Sequence, residues 1–158
     1  MKVEYINPFI KSIGNTFNTM LNCELKRGDI GYKPNTHPLY SVSGVIGLSG
    51  RAVGTVVLSL SKEVALKAAT TMLLTEATEV NDEVLDAVGE LTNIVAGGAK
   101  SELEEYQLAV SLPNVITGCN HEVHFPTNVR PICIPFDSNW GELSLEVGLA
   151  EVTVPVGT

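Results

Sequence analysis

No run of apolar residues long enough to cross a membrane occurs in this chain of 158 residues; a spanning helix needs roughly 18 or more. The opening MKVEYINPFIKS breaks its apolar residues with Lys and Asn, which is not the pattern of a secretory signal. Cysteine is scarce. Cys23, Cys119 and Cys133 are odd in number and far apart, which argues against a disulfide framework and for reduced thiols in a cytoplasmic protein. Positive charge is also short: 10 Lys and Arg stand against 18 Asp and Glu, a formal charge of -8. That balance argues against nucleic acid as a partner, since a phosphate backbone needs a basic face, and disfavours an anionic membrane.

What is present is an ordinary globular composition, 44% hydrophobic and 18% charged. One domain over residues 1–158 can bury a sizeable core without a staple. YINPFIKSIGNTFNTMLN, residues 5–22, places Phe9, Ile13, Phe17 and Met20 at helical intervals with Pro8 in the first turn. From Gly28 to Ser61 the text turns to strands, and SVSGVIGLSG with GTVVLSLS reads as a hairpin. A second helix, SKEVALKAATTMLL, takes Ser61 as its cap. A third, about residues 82–103, is capped by Asn81 and would run about 33 Å. Strands then return in QLAVSLPNVITG, EVHF, RPICIPF and GELSLEVGLAEV, with Pro113, Pro126, Pro131 and Pro135 marking turns or strand ends.

The two halves of the chain overlay. Aligning Gly14 with Gly89 sets SIGNTFN over AVGELTN, and GTVVLSLS later falls over GELSLEVG. The expected fold is therefore α/β of the α+β kind. Two quasi-repeated helix-plus-strand halves, about 1–78 and 79–158, would form an antiparallel-rich sheet covered on one side by long helices. In the overlay Asn18 matches Asn93, while Asn15 and Lys11 stand where Glu90 and Asp86 do. The first half keeps the asparagine and lacks both carboxylates.

The third helix, DAVGELTNIVAGGAK in its central part, carries residues that helices avoid. Asn93 is a poor helix former, and each of Gly97 and Gly98 costs about 1 kcal/mol relative to alanine. At about 100° per residue, Asp86, Glu90, Asn93 and Gly97 fall on one side. Val84, Val88, Leu91, Val95 and Ala99 fall opposite, with Leu85 and Leu103 at the margin. The apolar set must face the core, so the first set faces solvent, and Gly97 there lets another protein approach the helix axis. Such a stripe can be merely the wet side of an amphipathic helix. Its composition is ill suited to that alone: a face chosen for stability uses Lys, Glu, Gln or Ala and offsets its acids with bases at i+4. Between residues 81 and 105 seven acids face one base, Lys100, which suits contact with a cationic group.

The spacing D-x3-E-x2-N of Asp86, Glu90 and Asn93, on a long helix, resembles the signature of the CheC/CheX/FliY phosphatases, which dephosphorylate the response regulator CheY in bacterial chemotaxis. NPFI near the start, GELTNIVAGGAKSEL and the following SLPNVITG resemble the CheX branch in particular, and one intact motif beside a degraded one fits that branch. The resemblance covers essentially the whole chain. One departure concerns Pro113, which follows Asn93 after 19 intervening residues, a shorter spacing than the family motif has; this leaves the role of Pro113 open. The resemblance implies a protein aspartyl-phosphate phosphatase acting on a CheY-like response regulator, with Asn93 orienting the attacking water and Glu90 pairing with the regulator's lysine. Asp86 and Gly97 would serve substrate docking. It also implies a homodimer, and no cofactor held by this chain, since Mg²⁺ arrives with the phosphorylated regulator. The rival reading is a non-catalytic docking module for a receiver domain or flagellar switch partner.

Other clusters carry less. Cys119, His121, His124 and Cys133 invite a zinc reading, but the two histidines point to opposite faces of an extended strand and no second tight pair accompanies them. Ser101 and Ser111 lack the G-x-S-x-G elbow of a hydrolase. GLSGRAVG lacks the lysine and spacing of a phosphate loop. Trp140 beside Gly141 reads as a strand-end anchor.

Overall fold

The computed structural model describes residues 3–152. Helix α1 spans Val3–Leu21. Phe9, Ile13, Phe17 and Leu21 make its buried row, an i, i+4 series. Met20 is turned off that row and is 43% exposed. Pro8 lies inside the helix rather than in its first turn, because the helix already runs from Val3; the missing N–H leaves one carbonyl of the preceding turn without its usual donor.

The hairpin is present as β3 (Val42–Ser49) and β4 (Ala52–Leu60). Before it come two short strands, β1 (Lys26–Arg27) and β2 (Gly31–Tyr32), so most of the stretch from Gly28 to Ser41 is irregular rather than strand. Helices α2 (Lys62–Leu73) and α3 (Asp82–Lys100) follow, then a short 3₁₀ turn at Glu104–Tyr106. Strands β5 (Ala109–Val110), β6 (Asn114–Thr117), β7 (Ile132–Asp137) and β8 (Leu143–Glu151) complete the chain. The sheet runs β1-β7-β8-β4-β3-β5, with β2 also on β7 and β6 also on β3, and every pairing is antiparallel. Pro135 sits within β7, between the residues that pair with β2 and those that pair with β1, rather than at a strand end.

Alternation along the strands builds one helix-covered core. Leu143, Leu145, Val147 and Leu149 of β8 join the buried cluster with α1, α2 and α3. Ser144, Glu146 and Gly148 point to the opposite face, and all three are buried. Irregular chain covers them. EVHF is part of this cover and not a strand: the Val123 N–H donates to Thr36 O, in another irregular segment, at 2.8 Å. His121 is half-buried there, pairing with Ser43 at 2.9 Å and Gly118 O at 2.7 Å. Lys33 forms an ion pair with Glu146, both almost fully buried. Burial pushes the Glu146 carboxyl above its usual range, while Lys33 pulls it back.

Two close approaches seat α3. A Cβ at Gly44 of β3 would collide with the Thr92 side chain, so glycine there lets the helix lie directly on the sheet. On the other flank a Cβ at Gly98 would collide with the Ser12 hydroxyl of α1, which instead donates to Val95 O at 2.6 Å. Gly98 is thus a packing residue. The helix ends at Lys100 rather than near 103, since tightened bonds from Glu102 N to Ala99 O and from Leu103 N to Lys100 O turn the chain and bury Leu103.

Candidate active site

Helix α3 begins at Asn81, whose side chain accepts from Val84 N at 3.0 Å. Asp82 and Glu83 occupy the first turn and Lys100 the last, the order that the helix dipole favours. From this fixed start the period sets every later side chain. Val84, Val88, Leu91, Val95 and Ala99 are buried, as the pattern requires, and Asp86, Glu90, Asn93 and Gly97 are all exposed. On a helix, residues three and four apart are neighbours, with about 5–6 Å between their Cβ atoms. Glu90 therefore lies between Asp86 and Asn93 in one row. No ion pair or side-chain hydrogen bond engages any of the three among the described residues. A Cβ at Gly97 would meet nothing within 4 Å, so fold packing does not require this glycine. The row is a carboxylate, a second carboxylate, a carboxamide and bare backbone, all held on a rigid element and open to a partner.

The surroundings add features that the period alone does not reveal. Pro113 packs beside Gly89, where an added Cβ would lie 3.5 Å from its ring; Gly89 neighbours both Asp86 and Asn93 on the helix surface. Pro113 thus buttresses one flank of the row. Leu112, just before it, is 87% exposed. On the opposite flank the ends of α1 and α2 meet α3 and leave a groove of about 650 Å³ lined by residues including Met20, Met72, Leu73, Glu83, Asp86 and Glu90. Neither flank was legible beforehand, because each joins segments distant in sequence; the only local sign was apolar text, LPN and TMLL, without an obvious core role.

The first-half counterpart differs in its engagement. Asn15 and Asn18 are exposed on α1, and Lys11 is tied to Glu102 at 2.7 Å. Cys119 is exposed and Cys133 half-buried, with burial pushing the Cys133 thiol up.

Residues 42–137 match the family model for the chemotaxis phosphatase CheX. The chain belongs to the CheX family. Among its relatives is the CheY-P phosphatase CheX of Thermotoga maritima, 31% identical over 121 residues, which are 75% of this chain and 78% of that protein. A CheC-like superfamily protein from Shewanella sp. PV-4 superposes with a TM-score of 0.87 at 35% identity, over 95% of this chain and 99% of the other. The CheX–CheY–BeF₃–Mg²⁺ complex from Borrelia burgdorferi contains a chain with the same fold, at a TM-score of 0.78 and 23% identity, covering 95% of this chain and all of that one. The matched segment contains the whole of α3, so the exposed row lies within the part shared by the CheX family. No helix among the described residues is long and apolar enough to cross a membrane.

Proposed function

We infer that this chain dephosphorylates a CheY-like response regulator, with the exposed row of α3 entering the regulator's phosphorylation site. The observation that carries this reading is a carboxamide, Asn93, one turn from a carboxylate, Glu90, both exposed and unengaged on a rigid helix of a CheX-family protein. A phospho-aspartate is an acyl phosphate and already activated. Water attacks phosphorus, the bond to the aspartyl oxygen breaks, and inorganic phosphate leaves. What the reaction needs is a positioned water and stabilised charge. The Asn93 carbonyl accepts a hydrogen bond from that water while its NH₂ donates to a phosphoryl oxygen. A carboxylate at that place would repel the phosphoryl group. Glu90 pairs with the regulator's lysine and fixes the register of the helix. Asp86 lies further out and aids docking, and Gly97 leaves room for the regulator's surface. Mg²⁺ belongs to the phosphorylated regulator as part of the substrate. The active unit is a homodimer and its place is the cytoplasm, as the family resemblance implies.

The test is the decay of a phosphorylated CheY-like regulator from the same organism. Faster decay with catalytic amounts of this protein supports the phosphatase. Tight binding with no change in decay replaces it with a docking module. Light scattering on the pure protein decides between dimer and monomer.

A further inference from the structure

The groove between the ends of α1 and α2 and the row on α3 is not needed by the chemistry assigned to Asn93 and Glu90, yet it opens directly beside them. On its α1–α2 side Met20, Met72 and Leu73 stand with Thr71 and Thr75, and on its α3 side Glu83, Asp86 and Glu90 surround Ala87. Leu74 follows at the rim. It stands at the C-cap of α2 in the left-handed region, with φ 56° and ψ 27°, and is 90% exposed. Glycine or asparagine is the ordinary choice for that backbone, and a branched apolar side chain there is strained and buries nothing. The fold gains nothing from this leucine that glycine would not supply.

We propose that this groove is a second contact for the same regulator: it receives one long basic side chain of the receiver domain, and Leu74 packs on the receiver surface around it. This rests on the reading of the α3 row given above. Such a side chain carries an aliphatic stem that suits Met20, Met72 and Leu73, and a cationic head that suits Glu83 and Asp86. Methionine walls adapt to a stem of either lysine or arginine. Continuity fixes the partner, because Asp86 and Glu90 belong at once to the groove and to the row that meets the phosphorylation site. A receiver seated on the row meets the acidic side of the groove through the same two residues.

The experiment compares wild type with Leu74→Gly and Glu83→Lys, reading kcat and KM on the phosphorylated receiver and, by calorimetry, Kd for the beryllofluoride-activated receiver. Leu74→Gly should raise KM and Kd about tenfold with kcat unchanged, while the melting temperature stays level or rises. Glu83→Lys should raise both by at least about fivefold and flatten the dependence of Kd on ionic strength. Wild-type KM and Kd in both variants, at full folding, would overturn the proposal. Should the wild type bind the receiver without hydrolysing it, the phosphatase reading falls and Kd alone decides the groove by the same changes. No binding by the wild type overturns both.

Discussion

Glu90 and Asn93 are three positions apart and have different tasks in the proposed reaction, so their losses should differ in kind. In the proposed reaction Glu90 pairs with a cation that is present before and during the chemical step. Its removal should therefore weaken association and its salt dependence more than turnover. Glu90→Gln is expected to raise KM several-fold, about 1 kcal/mol or more, with a smaller change in kcat; steady-state kinetics at two ionic strengths check this. The exposure of both residues on one face was legible in the sequence because it needs only the helical period. Pro113 was not, since its contact with Gly89 depends on β6 returning to the sheet beside α3. Which of Met20 and Leu21 is buried was not legible: an i, i+3 step and an i, i+4 step both fit a helix, and only the neighbouring elements decide that Leu21 is the buried one.

Helix α3 functions as a rigid arm, and its rigidity comes from its ends and its two glycine seats. The Asn81 cap is worth about 1 kcal/mol, so Asn81→Ala should lower stability by about that amount in denaturant melts, with little change in activity. Gly44→Val should be far more damaging. Its side chain would occupy the place of Thr92, forcing α3 off β3 and costing about 1–3 kcal/mol or more; loss of activity in the protein that still folds is the expected result, because the row moves with the helix. The long helices, the hairpin and β7 and β8 were legible as strongly periodic text. EVHF was not. Its alternation is genuine, but a strand needs a paired neighbour, and here the Val123 N–H goes to Thr36 in an irregular segment distant in sequence.

At the scale of the molecule the two faces of the sheet are unlike. One carries the helices and the site. The other buries the Lys33–Glu146 pair under irregular chain, an arrangement whose partners lie 113 positions apart and which no local pattern announces. Removing one member of a buried pair leaves an uncompensated charge, so Lys33→Ala should cost about 3–5 kcal/mol. Lys33→Ala with Glu146→Gln should recover part of it. The folded Glu146 carboxyl lies above its ordinary value because of burial. It thus holds its proton more tightly in the folded chain, and its contribution to stability falls as pH rises from the ordinary value through the raised one. Glu146→Gln should remove that part of the pH dependence in thermal melts. The Mg²⁺ assignment is also a whole-molecule matter. If the ion comes with the regulator, as proposed, a chelator should stop dephosphorylation while leaving the melting temperature of this protein unchanged.

In the proposed reaction Asn93 positions the attacking water and does little else. The measurement that tests it most directly is the single-turnover decay of a phosphorylated CheY-like regulator saturated with wild type or with Asn93→Ala, beside the affinity of each for the beryllofluoride-activated form. The rate should fall about 10²–10³-fold at nearly unchanged affinity. A variant that binds equally and hydrolyses as fast as wild type would contradict it.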